Sequence, residues 1–154
     1  MTDGIELNEL FAGLAPAVVE ELTKHEERET IPAGTKLISQ GAMPEHLIFI
    51  EEGSVEISVP AGDKALCLNM VGSGKVLGLR AIVATVLPEI DATAVKQCAI
   101  VRIPKGIFLE VLKQHPEMYF AISKVLSNDL NTAERVLREL PRSPGKEKQR
   151  LASI

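Results

Sequence analysis

The chain has 154 residues, 45% of them hydrophobic, and a formal net charge of −4. That length supports one domain with one core, the composition is wrong for disorder, and the acidic balance leaves no overall basic footprint for nucleic acid. No apolar stretch approaches the ~20 residues that span a bilayer, and no signal peptide is visible, so no membrane partner is expected and the chain reads as cytoplasmic.

From the amino terminus, Leu7, Leu10, Phe11 and Leu14 recur at three- to four-residue spacing and predict a short helix closing at Gly13-Leu14. Pro16 opens a second helix, where its missing N–H costs nothing, with Val18, Val19 and Leu22 as the buried stripe. Pro32-Ala33-Gly34-Thr35 reads as a turn. From Thr30 to Gly78 the glycines Gly34, Gly41, Gly53, Gly62, Gly72, Gly74 and Gly78 separate short apolar runs. Strands are expected at 36–39, 47–51, 54–59, 65–71, 91–95 and 99–103, an arrangement that indicates a sandwich or barrel. Glu51-Glu52-Gly53-Ser54 and Pro60-Ala61-Gly62-Asp63 read as hairpin turns between them. Phe108, Leu109, Val111 and Leu112 mark a short helix ending near His115-Pro116.

The last helix, 117–140, contains no Gly or Pro. Ser123, Leu126, Leu130, Ala133, Leu137 and Leu140 form a heptad seam, while Ile122, Val125 and Val136 lie on a neighbouring face that can pack on the β-structure. Two apolar faces call for two partners, and a parallel homodimer through this helix is the expectation. The alternative is one wide stripe against its own domain. Pro141-Arg142-Ser143-Pro144-Gly145 then breaks the helix as a linker, and the basic run 146–152 reads as a solvated tail.

Several chemistries are excluded by their ligand requirements. Cys67 and Cys98 are isolated, each on an expected strand, and read as reduced, core-filling thiols, so zinc and iron–sulfur centres are not expected. His25 and His115 lie at helix ends and His46 begins a strand, positions of surface or capping histidines rather than haem ligands. Met70 is assigned to the core. Gly72-Ser73-Gly74-Lys75 has the wrong spacing for a phosphate-binding loop and reads as a turn, with Lys75 pointing outward on the strand edge. No nucleophile elbow or metalloprotease helix occurs, and the chain is not expected to be an enzyme.

The order of these pieces resembles the sensor domain of the cyclic-AMP-receptor/fumarate–nitrate-regulator (Crp/Fnr) family. Leu10-Phe11-Ala12-Gly13-Leu14, Pro32-Ala33-Gly34-Thr35 with Leu37-Ile38 and Gln40-Gly41, and Ile48-Phe49-Ile50 with Gly53 and Val55 are similar to its successive motifs. Gly74 and Gly78 sit where that family enters its ligand cassette, and Ile103-Pro104 with Phe108 where it leaves the roll. The resemblance covers residues 7–140. It implies a mainly β fold with flanking helices: a double-stranded β-roll of jelly-roll type plus a long C-terminal dimerisation helix. Residues 1–140 would be the sensor domain with its dimer helix, and 141–154 a linker or the truncated start of a helix-turn-helix domain.

In this resemblance Gly78, Leu79, Arg80, Ala81, Asp91 and Ala92 form the candidate effector pocket. The family's cyclic-nucleotide binders carry Glu after the cassette glycine for the ribose hydroxyl and an Arg about ten residues on for the cyclic phosphate. A buried phosphate needs such a cation, because the guanidinium fork supplies two charge-assisted hydrogen bonds. Here Leu79 replaces the Glu, residues 83–95 contain no Arg or Lys, and the family's arginine falls near Pro88 or Glu89. The purine-reading pair on the long helix aligns near Ala133-Glu134, without the usual hydroxyls. Cyclic AMP is therefore not the expected ligand and no cofactor is expected; a small-molecule effector such as an organic acid or a phenol leaves no motif and stays open. Two functions follow. One is the effector-sensing and dimerisation domain of a Crp/Fnr-type regulator, which reaches DNA only through a domain absent from this chain. The other is a stand-alone interaction domain that binds a cyclic nucleotide through Arg80, swung into the pocket, or binds no ligand, with Arg80 facing solvent.

Overall fold

A computed structural model describes residues 8–139 of the chain, with side chains as far as residue 129. After a 3-10 turn at Phe11–Gly13, helix α1 spans Pro16–Thr23. Eight strands follow: β1 Glu27–Ile31, β2 Lys36–Ile38, β3 His46–Glu52, β4 Ser54–Ala61, β5 Lys64–Gly72, β6 Val76–Leu77, β7 Asp91–Ala94 and β8 Cys98–Pro104. Helix α2, Leu79–Ala84, sits between β6 and β7, and α3, Lys105–Gln114, and α4, Met118–Glu139, close the fold.

The strands form two four-stranded antiparallel sheets, in the orders β1-β8-β3-β6 and β2-β7-β4-β5. The apolar run Leu47-Ile48-Phe49-Ile50 on β3 explains how they stack. Alternate side chains on a strand point to opposite faces. Leu47 and Phe49 join the helix-side core with Leu10, Leu22, Phe108 and Ile122, whereas Ile48 and Ile50 join the core between the sheets with Ile38, Val55 and Ala92. All four are buried because β3 has a covered face on each side. Phe11 and Phe49 meet in a tilted contact at 4.9 Å between ring centroids. Burying each such side chain contributes about 1.5–3 kcal/mol, so this strand anchors the helices to the roll.

The mainly β roll with flanking helices is the architecture expected from the sequence. Four details differ. The turn at Glu51–Ser54 is no hairpin: β3 pairs with β8 and β6 while β4 pairs with β7 and β5, so Gly53 carries the chain from one sheet to the other. Only glycine serves there, since its φ is +127° and a Cβ would stand 2.4 Å from the Cys98 Sγ. Strands β1 and β6 were not anticipated; β1 is a sheet edge with four exposed residues before Ile31, and β6 is two residues long. Cys67 and Met70 are exposed rather than core, because β5 is the outer strand of its sheet; Cys98 is buried as expected. Finally, the amino-terminal helix is a 3-10 turn.

The long helix stands where the sequence places it. Ile122 and Val125 are buried against the roll, with Met118 and Ala121 beside them. On the seam, Ser123 is exposed and Leu126 half-buried. The side chains of Leu130, Ala133, Val136 and Leu137, and the whole of Leu7 and of 140–154, lie outside the described residues.

Candidate functional site

The cassette is built from the end of β6 to the start of β7. Gly78 makes the turn with φ +88°, a conformation that side-chain-bearing residues rarely adopt, and its carbonyl accepts the Ile82 N–H at 3.1 Å. Helix α2 then runs for six residues and is closed by Thr85 in the left-handed region, φ +56°. Leu79, Ala81 and Ile82 are buried, and Leu79 and Ile82 belong to the helix-side core with Phe49, Phe108, Ile122 and Val125. Apolar burial therefore pins this helix between roll and α4, which packs against it. Ile90 is half-buried and packs on the other core, between the sheets, with Leu37, Ile57 and Val71.

The six candidate residues do not share one setting. Gly78 is the hinge of the turn. Leu79 and Ala81 face inward beneath it, and Ala92 is fully buried between the sheets. Arg80 is exposed, and among the described residues its guanidinium has no hydrogen-bond or ion-pair partner. Asp91 is engaged: one carboxylate oxygen accepts the Gln40 N–H at 2.7 Å and the other lies 3.5 Å from Lys36 Nζ. The neighbouring Gly41 N–H donates to the Pro88 carbonyl at 2.9 Å. Together these bonds fasten the loop after β2 to the segment leading into β7. Pro88 itself is buried, and Glu89 is exposed.

One charged cluster near the cassette has no sequence signal, because its members lie far apart in the chain. Lys75, in the turn before β6, forms an ion pair with Asp129 of α4 and stands 3.5 Å from the Glu9 carboxylate. Glu9 also accepts the Val76 N–H at 2.9 Å. Lys75 is thus drawn inward rather than pointing outward, its side chain 21% exposed. Burial pushes the Glu9 carboxyl above its ordinary value of 4.5, against the opposing effects of the Val76 bond and the Lys75 charge.

Two of the three histidines lie beside carboxylates, and His25 is exposed. His46 Nε2 lies 3.4 Å from Glu27, and His115, at the end of α3, lies 3.3 Å from both Glu21 and Glu117. No cluster of three or more metal-ligating side chains occurs among the described residues. No helix among them is long and apolar enough to cross a membrane.

This geometry, two antiparallel sheets with a glycine-turned helical cassette under a long helix, defines a β-roll flanked by helices. The family model of the cyclic nucleotide-binding domain matches residues 28–115, more than half of the chain, and the chain belongs to that family. Among solved structures it is similar to the catabolite activator protein of Thermus thermophilus at 22% identity and a TM-score of 0.70, covering 85% of this chain and 62% of that one. It is similar to the sensor domain of the transcriptional regulator DNR from Pseudomonas aeruginosa at 17% identity and a TM-score of 0.70, covering 92% of this chain and 93% of that one. A third, the regulatory subunit of a cAMP-independent protein kinase A from Trypanosoma brucei, matches at 18% identity and a TM-score of 0.72, covering 90% of this chain and 50% of that one. These identities show the fold alone. The chain spans less than two thirds of the activator and of the kinase subunit. No curated protein matches the sequence.

Proposed function

We propose that the chain is the effector-sensing and dimerisation domain of a Crp/Fnr-type transcriptional regulator, acting in the cytoplasm, and that its effector is not cyclic AMP. The observation that carries the sensing role is the placement of α4. Its first turns bury Met118, Ala121, Ile122 and Val125 in the core that also holds Leu79 and Ile82 of the cassette helix. A change in the cassette is therefore felt by the helix that carries the heptad seam. Similarity to an activator protein and to the sensor domain of a regulator supports this reading. DNA contact would fall to a domain outside this chain, and no catalytic step is assigned.

The cassette supports an effector other than a cyclic nucleotide. Leu79 is part of the apolar core where a ribose-binding carboxylate would be needed, and no Arg or Lys lies in residues 83–95. A phosphate placed there would lose its main charge-assisted bonds. One observation favours the stand-alone reading: Arg80, exposed at the start of α2 and without an ion-pair partner among the described residues, is a cation within the cassette itself.

The dimerisation role is tested by sedimentation of the 154-residue chain. A dimer is expected at roughly tens of micromolar, the range of weak helical seams. Replacing Leu130 and Leu137 with Glu places like charges across the seam and should give monomers. A wild-type chain that is already monomeric at that concentration refutes the dimer.

A further inference from the structure

The Glu9, Lys75 and Asp129 cluster joins three parts of the molecule that are distant in sequence. Lys75 is the pivot. Its backbone is fixed to the roll: the Ile50 N–H donates to the Lys75 carbonyl at 3.0 Å, and the Gly74 N–H donates to the Ile50 carbonyl at 2.9 Å. Immediately after it, Val76 and Leu77 pair with β3 and lead directly into the Gly78 hinge. The side chain goes the other way, to Asp129 on α4. Glu9 closes the group from the amino-terminal side, its N–H donating to the Gly74 carbonyl at 2.9 Å and its carboxylate facing both Lys75 and the Val76 N–H.

We propose that the Lys75–Asp129 ion pair is a latch that holds the dimer helix α4 to the strand leading into the cassette, so that release of one loosens the other. Among the described residues, it is the ion pair that links α4 to the roll's strands and turns. The core contacts of α4 among the described residues, through Met118, Ala121, Ile122 and Val125, are apolar, and the apolar term is roughly proportional to area and lacks direction. A charge pair fixes position along the helix, because moving α4 by one turn shifts Asp129 about 5.4 Å from its partner. Lys75 is also the cation between two carboxylates, so withdrawing it leaves Glu9 and Asp129 facing each other. Lys75 and Asp129 are positioning residues, acting on the cassette through the backbone of β6. The latch gives α4 its output role and so rests on the sensing function proposed above, but the contact itself is testable in the isolated chain.

The test is amide hydrogen exchange on the full 154-residue chain and on three variants, Asp129→Asn, Lys75→Met and the double substitution. Exchange should rise about two- to fivefold, the range of a partly exposed charge pair, in α4 around 122–129 and also in 76–84 of the cassette. The effect of the double variant should be smaller than the sum of the two single effects, since both remove one contact. Arg102→Gln, which breaks the 3.0 Å pair between β8 and Glu29 of the edge strand β1, should leave both segments unchanged. Faster exchange in α4 alone, no change in either segment, or additive effects of the two substitutions overturn the latch. Sedimentation of the same samples separates the two claims: a monomeric wild type refutes the dimer, while the coupling between 76–84 and 122–129 is still read directly.

Discussion

At position 79 the chain puts leucine immediately after the glycine hinge, and the packing gives that residue a definite job. Its side chain is 3% exposed and sits among Phe49, Val76, Phe108 and Ile122. Introducing a carboxylate would bury an unpaired charge there. Leu79→Glu should therefore destabilise the fold by about 2–4 kcal/mol, read from the urea midpoint. A variant as stable as the wild type would mean the side chain swings out to the ligand position. Glu9 makes the complementary case, a carboxyl already half-buried. Its raised value means that the folded state favours the protonated form, so its contribution is present below pH 4.5 and is lost as the pH rises through that raised value. Glu9→Gln keeps an acceptor for the Val76 N–H but removes the titration. The wild type should then lose stability relative to Glu9→Gln as pH rises from 4.5 towards neutrality, and a constant difference would contradict this. The substitutions at 79 and 88–89 were legible in the sequence. The roles of Lys75 and Asp91 were not, since each depends on partners that only the fold brings within reach.

Among the elements, those with strong internal pattern were visible and those defined by their neighbours were not. Strand β3 announces itself by four consecutive apolar residues, and its two covered faces are the reason for that run. Helix α4 declares its roll-facing side through Ile122 and Val125. Strand β1, by contrast, offers only Ile31 to the core and carries Glu27, Arg28 and Glu29 outward, which in sequence looks like a loop. Charged edge residues of this kind also discourage edge-to-edge pairing with other chains. Strand β5 misled in the opposite sense: its apolar residues suggested a core strand, yet as an outer strand it leaves Leu66 and Met70 exposed. Pairing between β3 and β4 was misjudged because a short glycine turn between two strands looks the same whether it folds them together or sends them to different sheets. The sheet crossing makes a sharp prediction at Gly53. Gly53→Ala would bring a Cβ against Cys98 and force an alanine to φ +127°, and should cost about 2–4 kcal/mol by denaturant unfolding. A loss below about 0.5 kcal/mol would show that the crossing is not constrained as described.

At the scale of the molecule, the same roll carries two kinds of information. The core between the sheets, from Ile38 through Val55 to Ile100, maintains the scaffold. The helix-side core ties the cassette to α4, so the two elements share one set of contacts. In the proposed reading the cassette is the effector site of this cyclic nucleotide-binding domain, with its polar groups engaged elsewhere. Asp91 and Pro88 fasten the loop after β2, and Leu79 fills the space beneath the helix. The measurement that tests this account most directly is a calorimetric titration of the chain with cyclic AMP and with cyclic GMP. Each charge-assisted bond to phosphate stabilises a bound state by about 1.5–3 kcal/mol, so losing a two-bond cation removes orders of magnitude in affinity. The account predicts binding weaker than roughly a millimolar for both nucleotides. A micromolar constant that disappears on Arg80→Ala would contradict it and make Arg80 the phosphate clamp.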